Sequence, residues 1–204
     1  MRYYFKHYNT SFLISIDQIA DLDIRNKIGK ALTAFFQGFV KTEENNVDLS
    51  FIFTDHIHSF LKDVDFMNVN GVKSGDNQIY YKDDELEFVI NKDNPYRFVI
   101  NINPKETFKS SVRIFHKAFK NNIELQISTF YYRIFLLFTQ LWNLNNNISY
   151  IHASCVDVNG GAILFSADSG VGKSALLMRL SLEKRFRFIG DDLTIISNKS
   201  YSYF

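Results

Sequence analysis

Apolar and polar positions recur along this chain with two different periods, and the switches between them mark its elements. Residues 2–16 alternate aromatic and polar positions and close on Phe12-Leu-Ile-Ser-Ile16, a pattern that predicts one or two strands joined near Asn9-Thr10. From Asp23 the apolar residues Ile24, Ile28, Ala31, Leu32, Phe35, Phe36 and Phe39 follow helical spacing, with an acidic cap ahead of them and Gly38 near the end. This is an amphipathic helix whose aromatic stripe faces the core. Asp48–Phe53 reads as a strand. Gln78–Lys82, Leu86–Ile90 and Tyr96–Ile102, separated by Asp83-Asp-Glu85 and by Asn91–Pro95, predict an antiparallel meander. Residues 104–123, polar and basic around Val112, Ile114, Phe115 and Phe119, fit a strand or a short helix. A helix over Ser128–Leu144 then runs to the boundary Asn145-Asn-Asn147.

Composition narrows the classes. The chain of 204 residues is 46% hydrophobic, ample for a core. A net charge of +1 with no long basic run gives no electrostatic case for nucleic acid or for an anionic membrane surface. The most apolar stretch, Phe130–Trp142, is too short to span a bilayer and contains Arg133 and Gln140. The first ten residues carry interspersed charges and lack the apolar core of a signal peptide. The single cysteine, Cys155, excludes an intramolecular disulfide framework, so a reducing, cytoplasmic location is expected.

The chemical instruction lies in Ser166-Ala-Asp-Ser-Gly-Val-Gly-Lys-Ser174. An apolar run, Gly161–Phe165, precedes it and a helix-forming run, Ala175–Leu180, follows, the context that a phosphate-binding loop needs. Gly170 and Gly172 let consecutive amides turn inward to a phosphate, with Ala167, Asp168, Ser169 and Val171 completing the cradle. Lys173 is expected to reach the β- and γ-phosphates, and Ser174 to ligate Mg²⁺. Elsewhere, His56 and His58 lack a third ligand nearby and read as loop residues, and Asp83, Asp84 and Glu85 read as solvated charges at a hairpin tip.

From His152 through Ser174, and again over Phe188-Ile-Gly-Asp-Asp-Leu-Thr-Ile-Ile196, the chain resembles the catalytic domain of the bacterial HPr kinase/phosphorylase family and the smaller HPr-kinase-like proteins of peptide-modification systems. The resemblance spans residues 148–197. It rests on three elements in order: a histidine on the strand before the loop, the loop itself with Ala167 for its first glycine, and an Asp-Asp pair after the next strand. It implies a catalytic role for His152, phosphate binding by Lys173, and a general base in the pair Asp191-Asp192. Asp192 is preferred as base and Asp191 as a ligand of the metal, the order of the two roles staying open. It also implies a β-rich mixed sheet related to phosphoenolpyruvate carboxykinases. Further strands, C-terminal helices and an acidic metal ligand lie past this point in the family and have no counterpart before Phe204. Either the sequence is part of a longer protein or it is a shortened relative.

The expected fold class is thus mixed α/β (α+β): an N-terminal region of residues 1–146 with antiparallel strands and no assigned role, then a partial nucleotide-binding domain over residues 147–204. The expected function is an ATP- and Mg²⁺-dependent kinase acting on a serine of a small protein or peptide, with self-association implied by the family. The alternatives are a nucleotide-binding module without catalysis and a small-molecule kinase on the same core.

Overall fold

A computed structural model describes the chain except residues 8–9, 44–45, 63–66, 70–71, 84–85, 94–95, 102–121, 169, 192 and 198–204. The fold is mixed α/β, with a large and mostly antiparallel sheet. It divides into two compact units, Met1–Leu137 and Phe138–Phe204, whereas the sequence places a boundary at 146. The region read as a strand or short helix, residues 104–123, lies almost wholly outside the described residues.

The first unit is built on a nine-stranded sheet. Its strands are β1 (Arg2–His7), β2 (Thr10–Gln18), β3 (Val40–Lys41), β4 (Leu49–Thr54), β5 (Met67–Val69), β6 (Val72–Ser74), β7 (Gln78–Lys82), β8 (Glu87–Asn91) and β9 (Tyr96–Asn101). Their order is β3-β1-β2-β4-β9-β8-β7-β6-β5. The hairpin β1-β2 and the meander β7-β8-β9 are antiparallel, as the strand runs and the turn residues between them predict. The centre differs: β2 pairs with β4, and β4 with β9, in parallel. Parallel neighbours cannot be joined by a tight turn, and helix α1 (Leu22–Phe35) forms the crossover from β2 to β4. Asp21 starts that helix, its carboxylate accepting from the amides of Asp23 at 2.8 Å and Ile24 at 3.1 Å.

The spacing that predicts α1 also places its aromatic stripe on the sheet. Phe36 lies 5.3 Å from Phe5 and 4.8 Å from Phe135, ring centre to ring centre. Helix α2 (Asn122–Phe130) begins ahead of the predicted start and passes into a π-helical turn, Tyr131–Phe135. That turn sets Phe130 and Phe135 over Phe51 and Phe53 of β4, with ring centres 4.8–5.6 Å apart. On β9, Phe98 stacks on Phe51, so its neighbour Val99 points to the opposite face. There Val99 and Val89 pack under Ile57 of a 3₁₀ turn, Ile57–Phe60. His56 and His58 stand exposed beside that turn. At the β7-β8 hairpin Asp83 accepts from Tyr81 Oη, Arg133 and the Leu86 amide, while Asp84 and Glu85 lie outside the described residues.

The second unit holds α3 (Leu136–Asn145), in which the division falls, then β10 (Ile148–Ile151), β11 (Ser154–Val158), β12 (Gly161–Phe165), α4 (Lys173–Ser181), β13 (Phe186–Gly190) and β14 (Thr194–Ser197). It has two small sheets, β12-β11-β13 and β10-β14, with every described pairing antiparallel. Asn159 and Gly160, both at positive φ, form the two-residue turn from β11 to β12. Helix α4 packs on β11 and β13 through buried Leu177. Among the described residues no helix is long and apolar enough to cross a membrane.

Candidate functional site

Strand β12 ends at Phe165 and α4 begins at Lys173, so the segment predicted as a phosphate loop connects a strand to a helix N-terminus. Its backbone bears the mark of its glycines. Gly170 has φ +83° and Gly172 has φ +104°, a region where a side chain is strained. Gly172 is the residue before the helix and, having no side chain, offers no cap to the amides of the first turn. That turn contains no acidic residue, and Arg179 lies in the last turn, so the positive end of the helix dipole faces the loop without a carboxylate of its own helix.

Lys173 folds back over the loop. Its Nζ donates to the Ala167 carbonyl at 2.7 Å and to the Asp168 carbonyl at 3.3 Å. The Val171 amide also reaches the Asp168 carbonyl, at 3.4 Å. The ammonium is therefore held inside the curve of the loop by neutral acceptors, which an anion of higher charge can outcompete. Ser174 is exposed on the first turn of α4, beside Lys173. Ser169, the fourth residue of the predicted loop, lies outside the described residues.

The antiparallel register brings the other predicted residues to the same end of the sheet. Ser154 pairs with Phe165, the last residue of β12, so the start of β11 adjoins the start of the loop. On the other side β13 carries a bulge: Val156 pairs with Phe188, but Cys155 pairs with Gly190, leaving Ile189 as the extra residue. Continued by one step, this register sets Asp191 opposite Ser154. The Ser154 hydroxyl donates to Asp191 Oδ1 at 2.5 Å. Two further bonds close the turn after Asp191: the Leu193 amide donates to the Asp191 carbonyl at 2.9 Å, and Thr194 Oγ1 to the Ala153 carbonyl at 2.8 Å.

His152 occupies the bend between β10 and β11 and is exposed. Its carbonyl accepts from Ser166 Oγ at 3.4 Å, which ties the bend to the first residue of the loop. Of the residues expected to act together, Lys173, Asp191 and His152 thus sit on segments converging at one edge, whereas Asp192, the preferred base, lies outside the described residues. Ser154 and Thr194 join the site without a mark in the sequence, and Ser166, the first residue of the predicted stretch, joins it without an assigned role; short polar side chains at strand ends are too common to carry a signal alone. Cys155 is buried behind the site, and burial, followed by the Asp157 charge, pushes its thiol above the ordinary range. Asp157 is engaged by Arg187 at 2.8 Å and by the Gly160 amide at 2.8 Å.

Among the described residues no three His, Cys, Asp or Glu side chains cluster as a metal-binding group. One hydroxyl and one carboxylate suit a Mg²⁺ whose remaining ligands are phosphate oxygens and water, the usual arrangement in nucleotide sites. Elsewhere, in the first unit, a depression of about 450 Å³ is lined by Met1, Tyr3, Asn26, Gly29, Lys30 and Thr33. The residues that line it include Lys30 and no carboxylate, a poor match to metal-assisted chemistry. No family model, curated protein or solved structure matches the chain.

Proposed function

We propose that the second unit binds ATP with Mg²⁺ and serves phosphoryl transfer to a serine hydroxyl of a small protein or peptide. The observation that carries the reading is the convergence of a glycine loop, a helix N-terminus with Lys173, and the Asp191 carboxylate at one edge of a three-stranded sheet. The acceptor class follows the resemblance to the HPr kinase/phosphorylase family.

The division of labour follows from charge. Amides of the loop and of the first turn of α4 hold the phosphates, and Lys173 exchanges its carbonyl acceptors for β- and γ-phosphate oxygens. Ser174 and Asp191 would hold a Mg²⁺, which would supply positive charge against the phosphate oxygens. One carboxylate of the Asp191-Asp192 pair, Asp192 by preference, accepts the proton of the acceptor hydroxyl as its oxygen bonds to the γ-phosphorus and the bond to the ADP oxygen breaks. His152, exposed at the bend beside the loop, takes the catalytic role that the resemblance implies.

Calorimetric titration of the chain with Mg·ATP, beside Lys173→Ala, tests the reading. A charged hydrogen-bond donor contributes about 1.5–3 kcal/mol, so the variant should bind roughly ten- to hundredfold more weakly. Equal affinity would remove the loop assignment. In a transfer assay, Asp191→Asn with Asp192→Asn should abolish phosphorylation and leave ATP bound; a parent chain that binds ATP and transfers nothing would instead be a nucleotide-binding module.

A further inference from the structure

We propose that Ser154 is a positioning residue of this site: its hydroxyl fixes the Asp191 carboxylate in the orientation that receives Mg²⁺. The inference deepens the nucleotide reading and rests on it.

Three observations converge on this residue. Ser154 is fully buried, with 0% of its surface exposed, in a strand whose next residues are Cys155 and Val156, also buried. A hydroxyl in such a place needs an acceptor, and the one it has is Asp191 Oδ1 at 2.5 Å. The second observation is the bulge. With the register of Val158, Asp157 and Val156 continued unbroken, Ile189 would face Cys155 and Gly190 would face Ser154. The extra residue moves Asp191 into that place, and bulges beside sites commonly re-aim a side chain in this way. Third, the backbone around Asp191 is held on both sides, before it by the pairing of Gly190 with Cys155 and after it by the Leu193 amide and the bond from Thr194 to the Ala153 carbonyl. With the main chain fixed, the Ser154 hydrogen bond acts on the remaining freedom, the rotation of the carboxylate.

Ser154 also stands between the two halves of the site. Across one side it pairs with Phe165, where the loop departs; across the other it bonds Asp191. A carboxylate anchored through one oxygen at the end of the middle strand has its direction set relative to the loop. Such outer hydrogen bonds orient metal-binding carboxylates, and removing them typically costs ten- to hundredfold in metal affinity or activity.

The test is to titrate ATP into the parent chain and into Ser154→Ala, each in Mg²⁺ and in EDTA, with thermal melting alongside. We expect the affinity in EDTA to be unchanged and the tightening produced by Mg²⁺ to shrink by roughly ten- to hundredfold. Ser154→Thr, which keeps the hydroxyl, should restore the tightening, and Ser154→Ala should add nothing in an Asp191→Asn background. If Ala abolishes cooperative melting, Ser154→Cys, near in volume with a much weaker donor, takes its place in the same comparison. Full Mg²⁺ tightening in the variant would overturn the inference, as would an equal loss in Mg²⁺ and EDTA, which would mark Ser154 as part of the loop's folding only. A parent chain that binds ATP equally in both buffers would overturn this inference and leave the nucleotide reading standing. A parent that binds ATP in neither would overturn both.

Discussion

Gly172→Ala isolates the backbone demand of the loop from every packing effect. A Cβ added at Gly172 meets no atom of the described residues within 4 Å beyond its chain neighbours, and the same is true at Gly38 in the first unit. The two differ in backbone: Gly172 sits at φ +104°, ψ +22°, whereas Gly38 is not in the positive-φ region. For a residue with a side chain the left-handed well lies near +50° to +70°, so alanine at Gly172 is outside even that well, and a cost of about 2 kcal/mol is reasonable. The variant either bears this cost or relaxes to negative φ and turns its amides away from the anion. Both routes weaken ATP binding, by roughly 30-fold for 2 kcal/mol. Hydrogen exchange provides a readout that needs no nucleotide. The Leu176 amide bonds the Gly172 carbonyl at 2.9 Å, and its protection should drop in Gly172→Ala. Gly38→Ala should be neutral or stabilise by up to about 1 kcal/mol, through the unfolded chain. If Gly172→Ala matched the parent in both exchange and ATP affinity, the strained-loop argument would fail.

In the first unit, Phe36→Ala removes a ring that is 1% exposed and lies against Phe5, Phe39, Tyr131 and Phe135. The loss should be about 3–5 kcal/mol in denaturant unfolding followed by circular dichroism, and a loss under about 1 kcal/mol would show that these rings do not form a close-packed core. His7 sets a pH dependence: burial lowers it from its ordinary 6.5 to about 4, beside the Phe39 ring. The folded state favours neutral imidazole, so its contribution is complete above pH 6.5 and is lost as pH falls from there toward 4. After allowance for partial solvent access this is on the order of 2 kcal/mol, and the slope of stability against pH across that window should flatten in His7→Phe. An unchanged slope would assign the acid sensitivity to carboxylates alone.

How much of this architecture can be read along the chain depends on the range of the interaction that decides it. The β1-β2 hairpin, α1 and the β7-β8-β9 meander follow from alternation, capping and turn residues within a few positions, and each appears where those signals place it, except that α1 ends at Phe35, ahead of Phe39 and Gly38. Alternation reports which side of a strand is buried and is silent about the neighbour, so the parallel pairing of β2, β4 and β9 is invisible in it. Asn121, with Glu124 three residues on, is an available capping signal for the early start of α2, whereas the short strands β5 and β6 offer three residues each, too few for a period. Asn159-Gly160, by contrast, was an available hairpin signal.

The same division runs through the candidate site. The strand, glycine loop and helix are contiguous, so spacing alone exposes them. The partnership of Ser154 with Asp191 is not contiguous and passes through the bulge at Ile189. Nothing in Phe186-Arg-Phe-Ile-Gly190 marks an extra residue, yet a slip of one decides whether Gly190, without a side chain, or the carboxylate of Asp191 stands opposite the buried hydroxyl. The chemistry at that edge therefore depends on a pairing between two strands that neither strand specifies by itself. A serine inside an apolar run carries no mark of this role in its own strand; the mark is the carboxylate that the bulge sets opposite it.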